Sequence, residues 1–416
     1  MVAFFRQRLR PPVRPPGSRV PRDLPLDGLR GMCALLVFYA HLFLPLPILD
    51  PGYSPSPRFH WFDLGSAAVL MFFVLSGYVI GLTVAEPPSP GAMRRYVSRR
   101  VLRLAPITYA AVLVSCLLLP AVGGRTILAH LLFLHNNFAY PWLGWMPLLS
   151  NNPNLWSLHY EAVYYAGFLV IWRLAPAPGW IFAGLGVLAT GFVAGLPMPP
   201  LATRYACGGL FWLSGLCLAW RTDPPAAGPR GNWPAALLAA YALWYLRPVR
   251  ELLVLRGIFD VHWPTAVLPH RLDFLPVCVW VILAVTGRGP RLRLWLTGGC
   301  LAWGVAGAAG WVGFGAPAMP QYLAMGALVG ALALARRNAG PGWLARLAPV
   351  GGISFAIYVL AMPVQFGVLS HGASFSGTAV TYALRLVLTV GLVVSLAWLL
   401  EHRLQPWLAA RWPGRR

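Results

Sequence analysis

Apolar stretches of about twenty residues recur along the chain, and short segments that contain arginine separate them. One α-helix of that length spans the hydrocarbon core of a bilayer. Helices and closed barrels are the only structures that satisfy their own backbone polar groups there. The composition agrees, since 58% of the 416 residues are hydrophobic and only 11% are charged. The sequence therefore predicts an all-α protein, a polytopic integral membrane helical bundle.

Twelve stretches are candidate transmembrane spans. They lie near residues 28–48, 64–85, 102–121, 154–173, 179–197, 202–220, 232–247, 272–287, 294–315, 318–335, 350–370 and 376–400. The candidate at 232–247 is short for a full crossing, so the prediction is about 10–12 transmembrane helices. The sequence has no internal repeat long enough to indicate two inverted halves.

The basic residues predict the orientation in the membrane. All 33 are arginine, and they lie in short loops rather than along one surface, which favours positive-inside topology over nucleic-acid binding. The densest group marks a cytoplasmic loop and consists of Arg94, Arg95, Arg99, Arg100 and Arg103. Twelve spans then place both termini in the cytoplasm. We expect a multi-pass protein of the inner (plasma) membrane, with the lipid bilayer as a partner and no nucleic acid.

The distribution of apolar and basic residues divides the chain into three segments. Residues 1–24 are rich in arginine and proline and predict a disordered cytoplasmic tail, residues 25–402 form the transmembrane domain, and residues 403–416 form a basic cytoplasmic tail. The six cysteines lie within or beside apolar runs without any ligand spacing, so neither a disulfide framework nor a metal site is predicted.

The first span contains ionisable residues where a membrane helix rarely carries them. Arg30 and His41 are eleven positions apart. In a helix this spacing places both on one face, about 16 Å apart along the axis. Ionisable groups in a bilayer tend to face the interior of a bundle and to mark functional sites. The alternative is a histidine satisfied by a neighbouring helix and an arginine that extends to the membrane surface.

Glu161 is the one acidic residue predicted deep within a span. Counting residues places it and His41 at similar depths, about 10 Å from the outer face. A carboxylate at that depth can orient the imidazole or stabilise its charged form, as in general acid–base catalysis. The alternative is that Glu161 pairs with an arginine or with a nearby tyrosine.

Substrate-binding candidates surround Glu161. Ser157 precedes it by four residues and Tyr165 follows it by four, so all three share one helix face. Trp156 can line a pocket for a sugar or an acyl group, although aromatic residues in spans more often pack or anchor the helix.

Arginines gather at the cytoplasmic ends of the first and third spans. Arg30, Arg100 and Arg103 suit an anion that carries several phosphates, although positive-inside topology alone also explains basic residues there. The distance of about 16 Å from Arg30 to His41 is close to the reach of a phosphopantetheine arm. This distance is therefore compatible with an acyl-CoA donor.

Four phrases, in this order and spacing, resemble the membrane-bound acyltransferase-3 family of O-acyltransferases: LDGLRGMCALLVFYAH, FFVLSGYVIG, RRVLRLAPITY and WSLHYEAVYY. The family pattern of an arginine, ten residues and a histidine is met by Arg30 and His41. A later phrase, GGISFAIYVLAMPV, also resembles the family. There Ala361 stands where many members carry a second histidine, and Leu360 replaces a tryptophan. Ala162 stands where a second glutamate is frequent.

The resemblance implies an enzyme that moves an acyl group, often acetyl, from cytoplasmic acyl-CoA to a hydroxyl of a glycan or other carbohydrate-containing acceptor. His41 is then the catalytic histidine, and Arg30, Arg100 and Arg103 bind the donor; no cofactor is tightly bound. His41 either deprotonates the acceptor or carries the acyl group briefly, and both routes stay open.

Two other functions compete with this one. A transporter or flippase of a lipid-linked glycan would use His41 and Glu161 as a proton relay, but it predicts inverted repeats that the sequence lacks. A membrane glycosyltransferase would need a catalytic acidic residue in an outer loop. Asp50, Asp63, Asp260 and Asp273 have no supporting motif.

Overall fold

The structure is a computed structural model of the protein. It describes residues 8–12, 22–43, 49–119, 121–135, 148–191, 200–222, 231–249, 269–314, 317–340, 342–371 and 375–412. Within these ranges the regular structure is helical, and one isolated bridge pairs Gly231 with Ala339. The prediction of an all-α membrane helical bundle is confirmed.

The α-helices of the described residues are numbered in chain order. They are α1 (Leu24–Phe43), α2 (Gly65–Thr83), α3 (Pro90–Leu117), α4 (Gly124–Leu131), α5 (Trp156–Leu174), α6 (Pro178–Thr190), α7 (Pro200–Arg221), α8 (Trp233–Leu246), α9 (Leu275–Thr286), α10 (Pro290–Phe314), α11 (Met319–Leu334), α12 (Gly342–Arg346), α13 (Ala348–His371), α14 (Ala379–Leu399) and α15 (Gln405–Arg411). Short 3-10 helices cover Pro57–Phe62, Pro153–Leu155 and Pro269–Phe274, and a π-helical turn, Leu400–Leu404, joins α14 to α15.

Five helical segments of the described chain are each long and apolar enough to cross a membrane. They are Leu24–Phe43, Pro57–Thr83, Pro90–Leu118, Ala348–Ser370 and Ala379–Arg411. Three shorter apolar helices are α6, α8 and α11. Each of the twelve predicted spans overlaps a helix, while the number of helices that cross the bilayer stays a prediction.

The first and third helices begin earlier than the sequence predicts. The first helix is described as Leu24–Phe43 rather than 28–48, and residues 44–48 lie outside the described ranges. The third begins at Pro90 rather than near 102. Ser89 caps this helix, because its side chain accepts a hydrogen bond from the amide of Ala92 (3.2 Å), and Pro90 fits the first helical turn. The arginine-rich turn is therefore helical.

The chain divides into two compact units. The first comprises Met1–Leu29, Ser66–Pro87 and Ile171–Ala348, and the second comprises Arg30–Gly65, Pro88–Val170 and Pro349–Arg416. Every candidate site residue falls in the second unit.

The first unit contains a very close helix pair, α2 and α7. A Cβ atom added to Gly77 would lie 1.9 Å from the carbonyl oxygen of Trp212, and one added to Gly215 would lie 1.9 Å from that of Val74. Only glycine permits this approach of the two backbones. In the same unit Leu9 is buried, and its amide donates to the carbonyl of Pro176 (2.9 Å).

Within the second unit, Asp50 links the loop after α1 to the start of α14. This buried carboxylate accepts hydrogen bonds from the Thr381 hydroxyl (2.8 Å) and from the amides of Gly52 (2.9 Å) and Gly377 (3.0 Å). Burial raises the pKa of Asp50, but these hydrogen bonds and the charge of Arg385 together hold it below its ordinary value. The carboxylate is thus a charged structural link outside the membrane-spanning helices.

Candidate functional site

Helix α1 positions Arg30 and His41 as the spacing predicts. The helix is unbroken between them, so they lie on one face with a rise of about 16 Å. Both side chains are half-buried, and His41 lies in the last helical turn. Within the described residues, His41 makes no hydrogen bond or ion pair. Its imidazole is therefore not committed to a structural role there.

Aromatic residues hold in place the last turn of α1, which carries His41. The hydroxyl of Tyr382 donates to the carbonyl of Leu42 (2.8 Å), one of the carbonyls that a helix end leaves unpaired. The hydroxyl of Tyr39 donates to the carbonyl of Phe59 (2.8 Å). The ring of Phe43 stacks on that of Phe59, with 4.5 Å between centroids. These contacts fix the backbone that carries the imidazole.

Glu161 belongs to a cluster of tyrosines and an arginine. The Tyr165 hydroxyl donates to its carboxylate, and the Tyr96 hydroxyl donates to the backbone carbonyl of Tyr165 (3.3 Å). The guanidinium carbon of Arg100 lies 5.5 Å from the ring centroid of Tyr96 and 5.4 Å from that of Tyr165, within cation–π range. This cluster combines one half-buried anionic group with one cation across two aromatic rings.

The structure does not bring Glu161 and His41 into direct contact. Neither a hydrogen bond nor an ion pair joins them among the described residues. The carboxylate accepts from a tyrosine one helical turn away, which is the alternative that the spacing left open. Similar depth in two helices does not specify that their side chains meet. The partner of Glu161 therefore could not be predicted from residue counts alone.

Arg103 has a different environment from Arg100. Its Nη1 lies 2.7 Å from the Oε2 of Glu401 in the π-helical turn. The side chain of Glu401 is 3% exposed and that of Arg103 is 28% exposed. Arg103 therefore neutralises a buried carboxylate. Glu401 was not among the predicted site residues, although an acidic residue at the end of a long apolar run is a signal for such a partner.

Ser157 and Trp156 pack against different neighbours. The hydroxyl of Tyr358 donates to the carbonyl of Asn154 (2.8 Å), so the Ser157 hydroxyl donates to the Tyr358 oxygen (2.7 Å). The half-buried Trp156 ring meets that of Tyr160 edge-on. Tyr358 comes from the phrase GGISFAIYVLAMPV on α13, which thus reaches α5 although Ala361 provides no imidazole.

Two buried histidines, one in the last turn of α4 and one just after that helix, were not predicted to have a role. The rings of His130 and His135 stack, with 4.2 Å between centroids. The Nδ1–H of His130 donates to the carbonyl of Thr126 (2.8 Å), and the Nε2–H of His135 donates to that of Leu155 (2.7 Å). Burial lowers the pKa of His130 and lowers the pKa of His135 to about 3, so both are neutral. They join the segment after α4 to the start of α5.

The family of the chain follows from comparison with known proteins. A family model described as an acyltransferase domain matches residues 24–402, which include the helix with Arg30 and His41 and the cluster around Glu161. The chain belongs to the acyltransferase-3 family. Membership in this family makes it a membrane acyltransferase of the O-acyltransferase kind.

One curated relative is the acyltransferase MdmB of Streptomyces mycarofaciens, which is 30% identical over 166 residues. The alignment covers 38% of this chain and 41% of the relative, so the two match over less than half of either length. No solved structure matches the chain.

Proposed function

We propose that the protein transfers an acyl group, with acetyl as the first candidate, from cytoplasmic acyl-CoA to a hydroxyl group of a carbohydrate-containing acceptor. The main support is helix α1, which carries Arg30 and the uncommitted His41 on one face about 16 Å apart. An extended phosphopantetheine arm has a comparable reach. A phosphate near Arg30 would therefore place the thioester near the imidazole.

The chemistry assigned to His41 balances in either of two routes. In the first, the imidazole takes the proton of the acceptor hydroxyl, the oxygen attacks the thioester carbonyl, and the carbon–sulfur bond breaks. The CoA thiolate then takes the proton from the imidazolium. In the second, an imidazole nitrogen attacks the thioester carbonyl, the carbon–sulfur bond breaks and the CoA thiolate leaves. The acceptor oxygen then attacks the acyl carbon, the carbon–nitrogen bond breaks to restore the imidazole, and the proton of the acceptor hydroxyl goes to the thiolate. A half-buried imidazole without a structural partner suits both routes.

The charged residues of α3 and α5 have supporting roles in this proposal. Arg30 and Arg100 bind phosphate oxygens of the donor, and Arg103 contributes from its ion pair with Glu401. Glu161 is a positioning residue, because it holds the Tyr165 hydroxyl and Tyr165 flanks the guanidinium of Arg100.

The acceptor contact is assigned to α5. Ser157 and Tyr165 both use their hydroxyls in hydrogen bonds within the protein. Trp156 therefore offers the more available surface for a sugar ring, and Ser157 and Tyr165 shape the pocket around it. Replacement of Trp156 by Ala is expected to raise KM for the acceptor without changing KM for the donor.

The proposed orientation places the donor on the cytoplasmic side of the inner membrane, together with both termini. The support is the arginine-rich start of α3 and the arginines in alternate loops. The remaining alternative, a flippase of a lipid-linked glycan, predicts no consumption of acyl-CoA.

The decisive experiment measures release of free CoA by the purified full-length protein with acetyl-CoA and with longer acyl-CoAs, in the presence and absence of cell-envelope extract. Replacement of His41 by Ala is expected to lower release at least about 100-fold, the lower range for a general base. His402→Ala serves as the matched control, because His402 is exposed and stacks on Trp398 outside the site. Release by His41→Ala at the wild-type rate would overturn the assignment. If folded wild-type protein releases no CoA with any donor, the result would favour the flippase.

A further inference from the structure

A basic cavity of about 400 Å³ lies beside the start of α3, within the second unit. Its volume is in the range of sites for small molecules. It is lined by Arg95, Ser98, Arg99, Leu102 and Arg103 from α3 and by Gln405, Pro406, Ala409 and Trp412 from the end of the chain. Cationic side chains thus form one wall, and the last helix with the residue after it forms the other.

The C-terminal wall of the cavity is fastened to α3 at a defect in that helix. Pro106 lies inside α3 and has no amide hydrogen, so the carbonyl of Leu102 lacks its usual partner four residues ahead. The side-chain amide of Gln405 donates to this carbonyl and to that of Arg103, at 3.2 Å each. The ion pair between Arg103 and Glu401 adds a second attachment. Side-chain contacts therefore hold the C-terminal wall of the cavity against α3.

The charges of the cavity identify the chemistry of its ligand. Glu401 neutralises Arg103, and Arg95 and Arg99 are the other two cationic residues of the lining. Arg99 is exposed, and it makes no hydrogen bond or ion pair in the described part of the chain. Guanidinium groups bind phosphate oxygens strongly and with defined geometry. The cavity thus selects a phosphorylated ligand.

Trp412 favours a ligand that contains a flat ring. It is 40% exposed and lines the same cavity as the arginines. Nucleobases stack on such indole surfaces. A phosphate beside a stacking surface fits a nucleoside phosphate better than it fits a lipid headgroup.

We propose that the cavity binds the phosphorylated adenosine end of acyl-CoA, with Arg95 and Arg99 on its phosphates and Trp412 on its adenine. This inference rests on the proposed function and extends it, because Gln405–Trp412 lies beyond the family match, which ends at residue 402. The C-terminal segment of this chain thereby becomes part of the donor site. Arg100, next along α3, would face the remainder of the donor.

The experiment measures binding of adenosine 3′,5′-bisphosphate to the purified full-length protein in detergent, with inorganic phosphate as a second probe. Arg99→Gln and Trp412→Ala are each expected to weaken binding of the bisphosphate roughly tenfold, which corresponds to about 1.4 kcal/mol. Arg94→Gln and Trp407→Ala are the matched controls, since both residues are exposed, lie close in the same segments and do not line the cavity. The same variants are then assayed for KM with acyl-CoA.

Each outcome separates this inference from the function on which it rests. Loss of bisphosphate binding in the two cavity variants, with both controls unchanged, is the expected result. Wild-type binding in both cavity variants, from protein that still releases CoA, overturns the inference and leaves the acyltransferase intact. An effect of Arg99→Gln without any effect of Trp412→Ala overturns the nucleotide assignment in favour of a plain anion site. Absence of acyl-CoA turnover in the wild type overturns the proposed function.

Discussion

Replacing Arg103 by Gln is expected to destabilise the protein because it strands the carboxylate of Glu401. That side chain is 3% exposed, and its Oε2 is 2.7 Å from the guanidinium. Removal of one partner from a buried ion pair costs about 3–5 kcal/mol. Since Arg103 itself is 28% exposed, water screens part of the interaction, and we expect the lower end, about 3 kcal/mol.

The double variant Arg103→Gln with Glu401→Gln isolates the pair. It buries two neutral amides that can hydrogen-bond to each other, so its loss of stability is expected to be about 1 kcal/mol. The double variant is therefore expected to be about 2 kcal/mol more stable than Arg103→Gln alone. Thermal unfolding of wild type, Arg103→Gln, Glu401→Gln and the double variant in one detergent, followed by tryptophan fluorescence, measures the stability of each protein and the coupling between the two sites.

The same four proteins show what Arg103 does in the reaction. If it acts by holding the C-terminal segment on α3, the double variant regains CoA release together with stability. If its guanidinium touches the donor, the double variant regains stability while KM for acyl-CoA stays high. Equal stability of wild type and Arg103→Gln, or strictly additive losses in the double variant, would refute the reasoning from the buried pair.

Three further changes test other parts of the structure by thermal unfolding. The pKa of Asp50 is lowered in the folded protein, so its stabilising contribution is complete above its unfolded pKa, about 3.9, and disappears as the pH falls through the lower folded value. Asp50→Asn should therefore be less stable than wild type at neutral pH and should lose less stability on acidification. Equal curves of stability against pH for the two proteins would contradict this. Gly77→Ala should destabilise by about 1–3 kcal/mol because its Cβ meets a carbonyl at 1.9 Å, whereas Gly184→Ala, which has open space, should not. Tyr358→Phe removes the partner of Ser157 and should cost about 1–3 kcal/mol, while unchanged stability would show that this hydrogen bond contributes little.

The helices could be predicted from the sequence because the pattern that defines them is local. Each apolar run corresponds to a helix, and the spacing of Arg30 and His41 specifies their common face without any tertiary information. The residues at which helices begin and end were harder to predict. The start of α3 depends on the Ser89 cap and a proline, and the basic residues after them obscured this signal.

The partners of the site residues could not be predicted in the same way, because they come from distant parts of the chain. Arg103 and Glu401 are 298 positions apart, and Asp50 and Thr381 are 331 apart. Residue type indicates that a buried charge needs a partner, but it does not specify which one. The tyrosine that pairs with Glu161 is an exception, since it lies one helical turn away and was among the predicted site residues.

The attachment of the C-terminal segment to α3 also has a consequence for the timing of synthesis. Gln405 and Glu401 leave the ribosome about 300 residues after the carbonyl and the guanidinium that they complete. At roughly 5–20 residues per second, this delay is on the order of 15–60 s. Throughout that interval α3 carries an unmatched carbonyl at Leu102 and a cation without its acid. A chain that terminates before Glu401 keeps both defects, so translation must pass residue 405 before α3 can complete these contacts.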